Sequence, residues 1–382
     1  MSPKSKKEYL TEVKPRYQKA TLRKKSRILD EFCETYSCHR KHAIRTLNKP
    51  LVPAYKPYNK RGRKPIYSSK NIETVLKRIW LNANLPCSKN LKAIIPLWLG
   101  AYQEEFAPLH DSTVKLLLAI SASTIDRILK PLRPRYKKRG LATTKPGTLL
   151  RKQIPIKTKQ WDESMPGFLE TDLVAHCGTA IEGQYANTVD TVDIATGWSE
   201  QRAVWGKGEA GVIEQIKDIE ASLPFTMLGF DSDNGKEFLN HQLMRHFLNR
   251  KFPIQFTRSR AYHKDDNAHI EQKNYTHVRQ WLGYDRFDNP LIVEALNELY
   301  KSEWRLFHNF FIPSVKLVSK QRVGSKIVKK HDKPKTSYQR ILESKHVSKH
   351  AKEQLKKTFK GLNPFRLRKA MHLKIKKVFA LL

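Results

Sequence analysis

The stretch "GFDSDNGKEF", residues 229–238, crowds three carboxylates, Asp231, Asp233 and Glu237, around an Asn-Gly turn. It follows "PFTMLG", an apolar run short enough for a buried strand. Two further acidic residues stand in unusual company. Asp172 interrupts the strand-like run "GFLETDLVAHCG", and Glu271 opens the helical pattern "NAHIEQKNYTHVRQWLGYDRF". A charge within an apolar strand is costly without a partner. Carboxylates that meet repel one another unless a cation lies between them. Hard divalent ions such as Mg²⁺ or Mn²⁺ take this kind of oxygen ligand and keep positions open for water and phosphate. Two such ions can activate an attacking oxygen and stabilise a leaving one at a phosphodiester.

For Asp172, Asp233 and Glu271 to meet, the chain between them must bring them to one end of a sheet. Residues 167–178 alternate as one strand, and 185–206 read as two more joined at Thr196-Gly197, which makes an antiparallel meander. "EAGVIEQIKDIEASL" is an amphipathic helix with Val212, Ile216, Ile219 and Leu223 on one face. "FTMLGFD" is a strand, "KEFLNHQLMRHFLNRK" a helix, "PIQFTRS" a strand, and the segment holding Glu271 a helix. The order β-β-β-α-β-α-β-α is that of the ribonuclease H-like fold, an α/β class with a mixed five-strand sheet and helices on both faces. Its first and fourth strands are neighbours, which would bring Asp172 beside Asp233. Glu271, Tyr275, Val278 and Leu282 are spaced to face the sheet, leaving Lys273 and Arg279 on the far side. Asp231 competes with Asp233 for the ligand role. Glu237 reads as a charge at a helix start, and so do Asp265 and Asp266.

The chain of 382 residues has a formal net charge of +37. Residues 1–160 carry a net +27, residues 161–300 a net −9, and residues 301–382 a net +19. An acidic centre between basic flanks suggests a chemical unit held between arms that grip a polyanion, with double-stranded DNA the first candidate. No run is long and apolar enough to span a membrane. Four scattered cysteines make no disulfide framework, so an intracellular, cytoplasmic protein is expected.

The flanks divide further. Residues 1–58 read as a helix-turn-helix. Ile28, Leu29 and Phe32 form one stripe and Ala43, Ile44 and Leu47 another. Ser37 caps the second helix, which carries Arg40 and Arg45. A basic helical hairpin that only packs is the plainer reading. Cys33, Cys38, His39 and His42 lie close in sequence but cannot easily converge on zinc. Residues 59–70 form a basic linker whose Arg61 and Arg63 suit a minor groove. Residues 71–132 are a second helical DNA-binding unit, in which Ser121 or Ser123 starts a helix bearing Arg127. Residues 133–160 are a basic linker, 161–310 the catalytic core, and 311–382 a basic C-terminal region with a small β unit and helices.

"LETDLV", "DSDNGKEF" and "NAHIEQKN" resemble the three catalytic motifs of the retroviral-integrase core. Their arrangement is similar to that of bacterial insertion-sequence transposases of the aspartate-aspartate-glutamate type. Between Asp172 and Asp233 lie 60 residues, and between Asp233 and Glu271 lie 37. The resemblance covers about residues 165–285. It implies that Asp172, Asp233 and Glu271 are the catalytic residues and the ligands of Mg²⁺ or Mn²⁺, two ions in all. It also implies a DNA transposase that binds terminal inverted repeats, cleaves the 3′ ends and transfers them to target DNA as a homodimer or larger assembly. His263, Lys264, Lys273, Asn274 and Arg279 then become candidate DNA contacts around Glu271. A DNA-binding regulator with an inactive core and a nuclease of the same fold without strand transfer are the alternatives. The chain lacks the His-His-Cys-Cys zinc module of the viral enzymes.

Overall fold

The computed structural model describes residues 2–49, 66–136, 164–232, 235, 237–238, 240–258 and 268–382. Residues 1–65 and 66–382 form two separate compact units.

Among its described residues the first unit holds three helices, α1 (Pro3–Lys19), α2 (Leu22–Tyr36) and α3 (Arg40–Asn48). Val13 and Tyr17 of α1, Leu29 and Phe32 of α2, and Ala43 and Leu47 of α3 make its core. Ile44, expected inside, is 37% exposed. The turn also differs from expectation. Ser37 takes a left-handed conformation and closes α2, while His39 caps α3 by accepting the Lys41 N–H on its ring nitrogen. A left-handed residue ends a helix sharply because it turns the chain out of the helical path. That leaves the next cap to a residue beyond it.

The second unit begins with α4 (Lys70–Asn82), α5 (Ser88–Glu105), α6 (Asp111–Ala119) and α7 (Ala122–Leu129). Ser121 caps α7 by accepting the Thr124 N–H. Strands β1 (Phe168–Ala175), β2 (Ala186–Asp193) and β3 (Ser199–Trp205) form the meander, followed by α8 (Glu209–Ser222) and β4 (Gly229–Ser232). Helix α9 (His241–Leu248) and β5 (Gln255–Arg258) complete the sheet. A helix then runs as α10 (Ala268–Lys273), a π-helical turn over Asn274–Arg279, and α11 (Gln280–Leu282). Next come α12 (Leu291–Leu299), a second π turn over Tyr300–Trp304, and α13 (Arg305–Phe311). The C-terminal region has β6 (Pro313–Ser314), β7 (Leu317–Val323), β8 (Lys326–His331) and β9 (Lys335–Thr336). It ends in α14 (Ser337–Glu343), α15 (Lys349–Lys360) and α16 (Pro364–Phe379).

The main sheet has the order β3-β2-β1-β4-β5. β1 pairs antiparallel with β2 and parallel with β4, and β4 is parallel to β5. This mixed five-strand arrangement with helices on both faces is the ribonuclease H-like fold the sequence order implies. A glycine opens β4 because a Cβ on Gly229 would meet the Phe168 ring at 2.4 Å.

Successive strand residues point to opposite faces, and the two faces differ. Leu169, Val189, Phe230 and Phe256 pack one face against Val212, Ile216 and Ile219 of α8 and Leu243 and Phe247 of α9. The other face is covered by the helices that follow β5, in a larger core. That core also takes in α4, α5 and α7, and Met371 and Val378 of α16. Trp98 of α5 meets the rings of Phe307, Phe311 and Phe365 edge-on. The sequence draws boundaries at residues 132 and 310, whereas the described residues of 66–382 share one unit. The helices in these basic flanks keep apolar stripes that find partners across the sequence.

Candidate carboxylate site

Asp172 lies mid-way along β1, opposite Asp190 of β2. It is half-buried. One carboxylate oxygen accepts the Leu173 N–H at 2.8 Å, and the other accepts the Asn274 side-chain amide at 2.6 Å. Burial pushes the Asp172 carboxyl above the usual range. The two donors oppose that shift, and the charges of Glu237 and Glu271 add to it. The charges of two further carboxylates thus reach Asp172.

The helix carrying Glu271 runs alongside β1 and is fastened to it at three levels. Glu170, two residues before Asp172, accepts the Ile270 N–H at 3.1 Å near the helix start. Asn274 holds Asp172, and further along Arg279 donates to the Ala175 carbonyl at 2.7 Å. Burial drives the Glu170 carboxyl up to about 8, with Asp231 and Glu271 adding to the rise and the backbone donors of Ile270 and His269 opposing it. Asp231, next to Glu170 across the β1–β4 pair, accepts the Thr257 hydroxyl at 2.5 Å. Asp231 is therefore buried within the sheet, engaged by β5.

The π turn revises the face assigned to this helix. Val278 and Leu282 are buried as expected, whereas Glu271 and Tyr275 are exposed. Lys273, expected on the outside, is 9% exposed. A π turn inserts a residue into the helical repeat, so a stripe drawn at regular spacing drifts off the true face. Lys273 Nζ lies 3.1 Å from His277 Nε2, and the His277 ring stands 4.1 Å from that of His308. Burial lowers the Lys273 ammonium to about 8, partly offset by the Asp190 charge. Asp190 itself is raised to about 7 by burial, while the Gln201 amide at 2.7 Å and Lys273 oppose the rise. Arg279 is half-buried, its guanidinium 4.9 Å from the centre of the Tyr284 ring. Neither cation presents the free outer face that the regular spacing predicts.

Glu237 is the residue that sequence reasoning undervalued. Helix α9 starts only at His241, capped by the Asn240 side chain on Leu243 N–H. Glu237 sits in the turn before it, where its charge reaches Asp172. The available signal was its distance of two residues from the Asn-Gly turn, which keeps it close to the end of β4.

Asp233 lies outside the described residues, as do Arg61, Arg63, His263 and Lys264. Among the described residues no group of three His, Cys, Asp or Glu side chains is arranged to hold a metal ion. Glu237 and Glu271, whose charges reach Asp172, nonetheless offer carboxylate oxygens, and such repulsion is the condition a hard divalent cation relieves. Elsewhere Arg40 is tied by hydrogen bonds to Asp30 and, at 2.8 Å, to Ser26, while Arg45 is exposed on α3. Arg127 is exposed on α7 and donates to Thr124 at 3.1 Å. No helix among the described residues is long and apolar enough to cross a membrane.

Similar proteins fall into two groups. Among solved structures, the HTLV-2 integrase catalytic core domain in complex with magnesium is 14% identical at a TM-score of 0.29, covering 39% of this chain and 91% of that one. The simian T-cell lymphotropic virus intasome in complex with the PP2A regulatory subunit B56 gamma gives 13% and 0.32, covering 63% of this chain and 73% of that one. The catalytic core domain of BIV integrase gives 16% and 0.29, covering 47% and 96%. At such scores the fold assignment rests on the strand order itself. No protein-family model matches the chain. The uncharacterized protein y4rM of Sinorhizobium fredii is 36% identical over 326 residues, spanning 84% of this chain and 90% of that protein. An identity of that size over nearly the whole of both chains means that this chain belongs to the same family as y4rM.

Proposed function

We propose that the chain is a DNA transposase of an insertion sequence, a metal-dependent enzyme that cleaves the 3′ ends of its element and joins them to target DNA. One observation carries this reading. Asp172 shares its site with the charges of Glu237 and Glu271 at the point where β1 adjoins β4, and Asn274 fixes its carboxylate.

Asp172, Glu271 and Asp233 would hold Mg²⁺ or Mn²⁺, with Glu237 near them. The chemistry such cations supply when bound is Lewis acidity at a phosphodiester. The chain's own part is to position. Asn274 and the Leu173 N–H each hold one oxygen of Asp172, and so fix the orientation of its carboxylate. Glu170 and Arg279 hold the Glu271 helix in register with β1, so that the two carboxylates keep a constant separation. In-line displacement demands placement within about an ångström. The surplus of cations, +37 overall, favours DNA as the polyanion brought to this acidic centre.

The test uses DNA from the borders of the gene, where inverted repeats are expected. The full chain, Mg²⁺ and a duplex carrying one border should release a strand with a free 3′-hydroxyl and then join it to a plasmid. Asp172→Asn, Asp233→Asn and Glu271→Gln should each abolish both steps and leave end binding intact. Wild-type turnover in all three variants would refute the reading. Cleavage without joining would leave a nuclease in its place.

A further inference from the structure

We propose that the β7–β8 ribbon is an arm that grips duplex DNA. The proposal rests on the reading of the chain as a DNA-processing enzyme and adds a surface to it. The two strands pair from Ser319↔Lys330 to Val323↔Lys326 and turn through Gly324-Ser325, with Gly324 at a positive φ of 60°. The foot of the ribbon is anchored. Asp332 exchanges backbone and side-chain hydrogen bonds with the Lys316 backbone at 2.9 and 2.7 Å, and takes Arg340 at 2.6 Å. Lys316 Nζ reaches the Ala195 carbonyl at 2.7 Å, and β6 pairs with β9 just beneath. The blade beyond the foot is bare: every residue from 321 to 331 is exposed.

A two-stranded ribbon in water is marginal by itself, and this one carries features that make it worse alone. Val318, Val323, Ile327 and Val328 are each more than half exposed. Lys329 and Lys330 are neighbours on β8, and Arg322 and Lys326 flank its turn, so like charges crowd the blade. Residues 317–331 hold five Lys or Arg and no Asp or Glu. Lysines on an edge strand also deter pairing with other chains. That purpose is served by a few charges of either sign, and it does not require a blade without one carboxylate. A polyanion relieves each of these costs together. The duplex major groove, about 12 Å wide, admits a two-stranded ribbon, and thymine methyl groups there accept apolar side chains.

The test compares the full-length wild type with the combined variant Arg322→Ala, Lys326→Ala, Lys329→Ala and Lys330→Ala. Fluorescence anisotropy on a labelled duplex at several salt concentrations gives the slope of log Kd against log salt. The variant should bind more weakly by about tenfold or more, with a slope reduced by about 2 to 4, since each phosphate contact contributes about 0.9. On the wild type, acetylation of Lys326, Lys329 and Lys330 should fall when duplex is added, a readout that does not depend on the variant folding. An unchanged slope, or acetylation unaffected by DNA, overturns the ribbon proposal. If the wild type still cleaves border DNA in that case, the transposase reading survives without it. A wild type that neither binds duplex nor cleaves overturns both. Flotation with phosphatidylserine vesicles provides the competing partner. Vesicle binding that the variant loses while its DNA slope stays at the wild-type value would make the ribbon a membrane contact and overturn the proposal.

Discussion

The two faces of the central sheet are made from alternate residues of the same strands, yet they serve opposite ends. Leu169, Val189, Phe230 and Phe256 point one way, into an apolar layer closed by α8 and α9. Glu170, Asp172, Asp190 and Asp231 point the other way, beneath the helix that carries Glu271. Strand periodicity of two sorts the residues, so one face can supply cohesion while the other concentrates charge. The carboxylates of the acidic face are held by hydrogen bonds from Ile270, Asn274, Gln201 and Thr257, while Val174, Ala186 and Ala203 of the same face join the larger core beside them. Substitutions on the two faces should therefore be felt in different measurements.

The largest effect expected is on the acidic face. Asp172→Asn keeps the shape of the side chain and removes a charge that a bound cation needs. Strand cleavage in Mg²⁺ should fall about 10³-fold or more, equivalent to about 4 kcal/mol of barrier. Thermal unfolding without metal should show no loss of stability. A variant with both activity and stability reduced would mean that Asp172 is structural. The mirror experiment is Phe230→Ala. Phe230 is 2% exposed and its ring stands 4.9 Å from that of Phe247 and 5.9 Å from that of Phe256. Denaturant unfolding should show a loss of about 3–5 kcal/mol. A loss below about 1 kcal/mol would break the contrast between the faces.

Lys273 sharpens the comparison, because it is a cation buried on the acidic side. Lys273→Met leaves Asp190 without a compensating charge. It should cost about 1–3 kcal/mol in denaturant unfolding, where a solvated lysine would cost less than about 0.5. An effect at that lower level would return Lys273 to the exposed position that regular spacing assigns it.

The smallest effect is a pH slope. His176 lies just past β1 on the Arg279 side, stacked 4.6 Å from Phe287, with Nε2 2.9 Å from Thr188. Burial, aided by Arg279, lowers its pKa to about 3. The folded state therefore keeps His176 neutral while the unfolded chain takes up a proton below about pH 6.5. More protons bound in the unfolded state means stability that rises with pH. The contribution is complete above pH 6.5 and is lost as pH falls toward 3, at about 1.4 kcal/mol per unit. His176→Gln should lower stability at pH 7 and flatten the decline between pH 6 and pH 4 by about that amount per unit. An unchanged slope would show that the ring is already protonated in the fold.

The sequence by itself determined the order of strands and helices, because alternation and helical spacing are local properties that each segment carries within it. It also determined where the carboxylates stand along the chain, and strand order then places Asp172 at the β1–β4 junction. It narrowed the helix cap to Ser121 or Ser123, and marked a small β unit within the basic region 311–382, for the same local reason. Tertiary structure alone decided the rest. The π turn at Asn274–Arg279 shifted the face shared across it, so that Lys273 rather than Glu271 lies on the buried side with Val278 and Leu282. The late start of α9 left Glu237 in a turn from which its charge reaches Asp172. Helices α4, α5 and α7, which read from their charge as a separate arm, joined the core formed by α12, α13 and α16. Charge is visible residue by residue, but which apolar stripe meets which depends on contacts between segments some two hundred residues apart, such as Trp98 with Phe307 and Phe311. No local pattern specifies those contacts.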